Sequence, residues 1–257
     1  MSEVTVNGAA LFYEEMGAGE DTVVFSHSYL VDSTHFAPQM KALSDRYRCI
    51  AFDHRGHGRS QVTEGGYDME NLYTDGVAFI EALQCAPCHF VGLSTGGFIG
   101  MRIGIRRPNL LKSLILMDTS ADPEPAENVK LYKLLMVIVR WLGWWPAIGK
   151  VMPLFFTEKF LRDPERQDEV KQWKRHIMAG DKKAGIQFGK GIFSRAGVYD
   201  ELSTISVPTL VVVVSTIWPH LLPRHSGLRR RSPGPGLSSS RGLGICARSR
   251  SRLHWLR

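Results

Sequence analysis

The sequence predicts an α/β fold in which a mostly parallel central sheet is flanked by helices, and three observations carry the prediction. Short apolar runs alternate with helix-period segments from Asp21 to Met117, the order that builds parallel sheets through crossover helices. The run Val207-Pro-Thr-Leu-Val-Val-Val-Val214 is apolar on both faces, as a strand buried inside a parallel sheet must be. Between them, Val91-Gly-Leu-Ser94-Thr-Gly-Gly97 joins an apolar run to a helical run of small residues. A serine on such a tight turn takes a strained backbone conformation, and Gly92 and Gly96 let the turn close without side-chain clashes.

At 257 residues the chain has room for one large domain, and its 44% hydrophobic content is that of an ordinary globule. A formal net charge of +7 would suggest a nucleic-acid or membrane partner if it were spread over the fold. Residues 215–257, however, hold nine arginines and no lysine, aspartate or glutamate, which leaves 23 basic against 25 acidic groups in residues 1–214. The domain 1–214 is therefore nearly neutral, and the tail 215–257 needs its own explanation. That tail has little aromatic interleaving and no recognisable motif, so no nucleic-acid partner is expected. Met1-Ser-Glu-Val4 opens no basic, apolar-cored leader, and the most apolar stretch, Leu134 to Ile148, is broken by Arg140, Gly143 and Pro146. Neither export nor a membrane partner is expected. Cys49, Cys85, Cys88 and Cys246 make no disulfide framework in so long a chain, which fits a reducing, cytoplasmic location. The Cys85-Ala-Pro-Cys88 spacing precedes a strand instead of opening a helix and is read as incidental.

Taken in order, Val4-Thr-Val-Asn7-Gly8 and Ala10-Leu-Phe-Tyr-Glu14 read as a hairpin closed by an Asn-Gly turn. Asp21 to Phe25 is a buried strand leading into Ser26-His27-Ser28-Tyr29. Phe36 to Leu43 is a short amphipathic helix, and Arg48 to Phe52 is the next strand. It ends in Asp53-His-Arg-Gly-His-Gly-Arg-Ser60, whose histidines and arginines would suit phosphate or a metal. No carboxylate or cysteine cluster completes such a site, so no metal and no cofactor is expected. Tyr67 to Leu83 has helical spacing, and Cys88 to Val91 is the strand before the serine turn. The helix beyond Ser94 is kept thin by Gly96, Gly97, Gly100 and Gly104, and Pro108 stops it. Asp118 ends the strand Ser113 to Met117, at the sheet end where catalytic groups of open α/β sheets gather. From Asp122 the alternation stops for about 75 residues that carry Trp141, Trp144, Trp145, Trp173 and several methionines in helical patterns. This reads as a helical cap inserted over about 122–196, lining an adaptable apolar pocket. Its alternative is a pair of ordinary core helices.

The turn at Ser94 presents its Oγ above the sheet, and the Thr95 N–H opens the next helix where a tetrahedral oxyanion would form. Together with the D-x-R-G-x-G-x-S loop from Asp53 to Ser60, Met117-Asp-Thr-Ser-Ala121 and Val207-Pro-Thr-Leu-Val211, this turn makes residues 1–214 resemble serine hydrolases of the α/β-hydrolase fold. The carboxylesterase branch, similar to 3-oxoadipate enol-lactonases and cofactor-free haloperoxidases or perhydrolases, is the nearest in motif. The resemblance implies hydrolysis of small or medium acyl esters or lactones through a seryl acyl-enzyme, with a small-molecule substrate as the expected partner. It implies Ser94 as nucleophile and the Tyr29 and Thr95 amides as the oxyanion hole. In such proteins the strand before Ser26 ends in a His-Gly turn, and here Ser28 stands where glycine is usual. His27 is read as stabilising that turn, not as the catalytic base.

The resemblance breaks after Val214. An Asp-bearing turn, a further strand and a Gly-His turn carrying the general base should follow, yet the chain continues as Arg, Ser, Gly, Pro and Leu. In a shifted reading frame each codon takes its last two bases from the first two of an observed codon, so only its first base is free. Reading from Ser215, that frame allows D-D-L-A-T-P-P-A-K-A-Q-R-I-A, and Gly236 to Ile245 allows L-V-V-I-P-R-A-G-H. The implied Asp falls under Ile217 and the implied His under Ile245, 28 residues apart, about the interval such proteins use. The tail is therefore read as out of frame and not normally folded. Asp118 is left as a possible alternative acid, and the competing reading is a catalytically impaired scaffold that binds small hydrophobic molecules. Nothing in the sequence indicates an oligomeric state.

Overall fold

Asn7 and Gly8 take φ of +46° and +73°, closing a two-residue turn that sets Val6 of β1 (Ser2–Val6) opposite Ala9 of β2 (Ala9–Met16). This is the backbone that Asn-Gly adopts at least cost. The computed structural model describes residues 2–214 and 243–247. Within them β3 (Thr22–Ser26), β4 (Arg48–Phe52), β5 (Cys88–Leu93), β6 (Leu111–Met117) and β7 (Thr209–Val214) pair in parallel. The hairpin lies antiparallel at one edge and β8 (Leu243–Ala247) antiparallel at the other, giving the order β1-β2-β4-β3-β5-β6-β7-β8. The chain moves outward from β3 to β4 on one side and from β3 to β5 on the other. The loops after β3 and β5 thus leave neighbouring strands at a topological switch point, which brings Tyr29 and Ser94 together.

Alternation along the strands divides the core. Val24, Ile50, Phe90 and Leu114 face α2 (Met69–Ala82) and α3 (Thr95–Arg106), whereas Val23, Phe25, Cys49 and Val91 face Phe36 and α1 (Ala37–Leu43). Asp68 starts α2 by accepting from the Asn71 N–H at 3.0 Å, satisfying an otherwise orphaned donor. The loop from Asp53 to Ser60 is buried apart from its tip at Gly58 and Arg59. Asp53 accepts from the Ser33 and Arg59 amides at 2.7 and 2.8 Å, and Arg55 grips Asp75 of α2 with two bonds of 2.5 and 2.6 Å. Burial pushes the Asp53 carboxyl up, and those amide bonds partly offset it.

Residues between β6 and β7 form α4 (Ala126–Leu142), α5 (Ile148–Phe155), α6 (Glu158–Arg162), α7 (Gln167–Ala179) and α8 (Lys182–Phe193). They share an apolar centre of their own, with Val139, Trp144, Val151, Val170 and Ile177 buried in it. The segment leaves and rejoins the sheet at one place: the Val198 N–H donates to the Ala121 carbonyl at 2.8 Å. Arg195 completes that closure, donating to Glu124 at 3.2 Å and to the Asp122 carbonyl at 2.9 Å while lying 3.9 Å from the Phe98 ring centroid.

Beyond Val214 the residue pattern predicts no regular element. Leu243–Ala247 nevertheless pairs with β7, Val212 opposite Ile245. β7 ends in four successive valines, Val211 to Val214, and such an apolar strand at a sheet edge is a strong template for any short apolar segment, which accounts for the pairing. The implied Asp position at Ile217, and the expectation that the rest of the tail is not packed, lie outside the described residues.

Candidate active site

The turn at Ser94 is built from backbone constraints. Ser94 has φ +49° and ψ −104°, a conformation that L-residues avoid and that persists only where its surroundings enforce it. Three bonds enforce it here: the Ser94 N–H donates to Met117 O at 2.8 Å, Thr119 Oγ1 donates to Ser94 O at 2.8 Å, and the Gly96 N–H donates to His27 O at 3.1 Å. A Cβ at Gly92 would stand 2.3 Å from Gly96 O, and one at Gly96 would stand 2.0 Å from Ser26 O. Both glycines are thus required by close approach of backbone, as their spacing in the sequence suggests.

The loop after β3 is fixed by histidines. His27 Nδ1 lies 2.7 Å from Ser28 O, so it carries the proton, and His27 Nε2 accepts the His54 N–H at 2.9 Å. His57 Nε2 accepts the Leu30 N–H at 3.2 Å, and its Nδ1 faces Arg55 O. Burial lowers His27 to about 4 and His57 to about 3, and takes His54 well below its ordinary value. All three are therefore neutral at physiological pH and serve as acceptors or ring partners in the loop framework. His27 fills the turn-stabilising place expected of it. The positive φ in this loop falls at Leu30, +62°, and not at Ser28, where the missing glycine suggests strain. The His57 bond to the Leu30 amide holds that conformation beside Tyr29.

Tyr29, Ser94, Thr95 and Asp118 all line one cavity of about 260 Å³. Asp118 has φ +41° and donates its N–H to Val212 O at 2.9 Å. The roof comes from the helices after β6, through Tyr132, Met136, Val139, Trp144, Ile192 and Phe193. Burial raises the Tyr132 hydroxyl to about 12, with the Glu124 carboxylate adding to the shift. Tyr29 ties floor to roof: its hydroxyl donates to Gly185 O of α8 at 2.6 Å and its ring stacks on Phe188 at 5.8 Å. A Cβ at Gly189 would stand 2.7 Å from the Tyr29 hydroxyl, so the glycine on α8 makes the seat. The Thr119 bond to Ser94 and the Arg195 clasp are not legible in the sequence. Thr119 lies inside the Met117-Asp-Thr-Ser motif, which is its only signal. Among the described residues no histidine lines the cavity.

A strained serine at the switch point of a parallel sheet, under a helical roof, agrees with comparison to known sequences. The alpha/beta hydrolase fold family matches residues 21–168, more than half of the chain. The chain belongs to that family. This hydrolase is 28% identical over 210 residues to 3-oxoadipate enol-lactonase 2 of Acinetobacter baylyi, spanning 81% of the chain and 76% of that protein. Among solved structures, the enol-lactonase from Burkholderia xenovorans LB400 is similar with a TM-score of 0.74 and 29% identity, over 82% of this hydrolase and 80% of that chain. A thermophilic esterase from Thermogutta terrifontis is similar with a TM-score of 0.76 and 26% identity, over 84% and 80%. By family the chain is therefore a hydrolase.

Proposed function

We propose that this hydrolase cleaves carboxylic esters, lactones included, through an acyl-enzyme on Ser94. The observation that carries the proposal is the elbow itself, a serine locked at φ +49° on the wall of a largely apolar cavity. Ser94 Oγ would attack the carbonyl carbon and the carbonyl oxygen would become an oxyanion held by the Thr95 and Tyr29 amides. Collapse would expel the alcohol, and water would then release the acid. The enol-lactonase and esterase relatives support the substrate class, and the adaptable aromatic and methionine roof suits a small or medium acyl group.

The base that should take the Ser94 proton is the weak point of the site. His27, His54 and His57 are buried, held neutral, and absent from the cavity wall. A catalytically impaired scaffold that binds small hydrophobic molecules is the second reading, and this observation favours it. Both readings meet in the tail: we infer that residues 215–257 are encoded out of frame, and that the other frame supplies the Asp and Gly-His turns. The coding DNA from Val211 to Ser215 tests this; stop codons or unrelated residues in the alternative frame contradict it. Loss of a triad member leaves on the order of 10³ to 10⁴-fold acceleration over water. The chain should therefore hydrolyse p-nitrophenyl acetate weakly, and the restored frame should raise the rate by about 10³-fold or more. Ser94→Ala should abolish that gain. Full activity in the unaltered chain, dependent on one of its present histidines, would show the reading of the tail to be wrong. The near-neutral domain and the free cysteines fit a cytoplasmic enzyme without a cofactor.

A further inference from the structure

Helix α4 is apolar on two sides. Its inner side, with Tyr132, Met136 and Val139, roofs the cavity. Its outer side exposes Leu131, Leu134, Val137, Trp141 and Leu142, and Trp145 follows on the next turn; Trp141 and Trp145 are 76% and 78% exposed. An amphipathic helix of a globular domain keeps charge outward and needs one apolar stripe only, so the outer stripe calls for a partner. Leu134, Val137 and Trp141 fall within one arc of the helix, and Lys133 and Arg140 flank it along one side.

The charges indicate which partner. From Asn128 to Thr157 the sequence holds Lys130, Lys133, Arg140 and Lys150 and no aspartate or glutamate. All four are exposed, and none forms an ion pair among the described residues. A second copy would bring the same four cations against these four, and the arginine tail carries the same sign, so neither complements the patch. Exposed tryptophan and leucine bordered by lysine and arginine is the composition of a helix that lies in a lipid interface, its aromatics at headgroup depth and its cations on anionic headgroups.

We propose that α4 and the turn at Trp145 dock this hydrolase on an anionic lipid surface, with the cavity beneath the docked helix. No helix among the described residues is long and apolar enough to cross a membrane. The association is peripheral, a mode that needs neither a leader nor a spanning segment and so leaves no mark of the kind that would predict a membrane partner from sequence. It does not depend on the esterase reading, since the patch lies on the outer side of the roof.

The test uses the full chain with vesicles of phosphatidylcholine alone or mixed with phosphatidylglycerol, followed by co-flotation and by quenching of tryptophan emission with brominated acyl chains. The expected result is binding to the mixed vesicles with quenching. Trp141→Ser with Trp145→Ser should weaken binding by about tenfold or more. Lys130→Gln and Lys133→Gln should each weaken it by about fivefold. Trp141→Phe with Trp145→Phe should keep binding and lose most of the quenching, which separates the cap from Trp218 and Trp255 of the tail. An unchanged melting temperature shows that these surface variants fold. Equal binding by the parent and the Trp→Ser variant would assign retention to the arginine tail and overturn the proposal. Absence of vesicle binding, with a dimer in sedimentation velocity that the Trp→Ser variant dissolves, would overturn it in favour of a second copy.

Discussion

Beneath the cavity, the loops after β3, β4 and β5 are held by short directional contacts: glycines where a Cβ would meet a carbonyl, imidazoles that accept specific amides, and a buried ion pair that ties Arg55 of the loop after β4 to Asp75 of α2. Above it, the helices of the roof pack on an apolar centre of their own, and the ion pairs within those helices, such as Lys171 with Asp168 and Arg162 with Glu158, are exposed; the buried pair is Arg195 with Glu124, where the segment closes on the sheet. On the proposed acyl-enzyme reading the floor has to place a nucleophile and two amides to within a fraction of an ångström, which only short directional contacts achieve. On the same reading the roof has to accept an acyl group, and dispersion contacts among aromatic and methionine side chains do that without fixing one shape. Equivalent changes in the two regions should therefore have unequal costs.

The largest difference is expected between ion pairs. Asp75→Ala leaves the Arg55 guanidinium buried without its partner and should cost about 3–5 kcal/mol, whereas Asp168→Ala in α7 should cost less than about 1 kcal/mol. Urea denaturation of the two variants measures both, and equal costs would break the comparison.

Acid should act on the floor first. His27 and His57 have folded values near 4 and 3 against 6.5 when exposed, so the unfolded chain gains protons that the fold refuses. The stability tied to their neutral forms is complete above pH 6.5 and is lost as pH falls through the window from 6.5 towards 4 and 3. At pH 5 the loss is about 2 kcal/mol for each of the two. Denaturation midpoints between pH 7 and 5 test this, and His27→Gln with His57→Gln should flatten the slope.

Much of the floor is legible in the sequence because its demands are local. Positive φ at Asn7 and Ser94 and the close approach at Gly92 and Gly96 each require a particular residue within a few positions, so the pattern survives in the order of residues. What stays hidden depends on residues far apart in the chain. Leu30 owes its strained backbone to His57, Tyr29 reaches Gly185 across 156 positions, and Arg195 closes on Glu124 across 71. The helical period of 126–142 is legible, but whether its second apolar side is covered is a property of the assembled fold. Leu243–Ala247 pairs for the same kind of reason, since an open valine edge and not its own pattern makes it a strand.

Two glycine substitutions sharpen the comparison at smaller scale. Gly96→Ala sets a Cβ 2.0 Å from a backbone oxygen and should cost about 1–3 kcal/mol, together with any activity that depends on the elbow. Gly149→Ala in α5 meets nothing within 4 Å and should leave stability unchanged or raise it by up to about 1 kcal/mol. Thermal melts and p-nitrophenyl acetate rates on the two variants give the contrast.

The central claim is that Ser94 is the nucleophile, and the most direct measurement is peptide mapping by mass spectrometry after prolonged reaction with a fluorophosphonate. The strained serine and the two amides predict one slow adduct on the peptide that contains Ser94, absent in Ser94→Ala and blocked by an ester substrate that occupies the cavity. An adduct on a different serine, or none after exhaustive reaction with a chain shown to be folded, would contradict it.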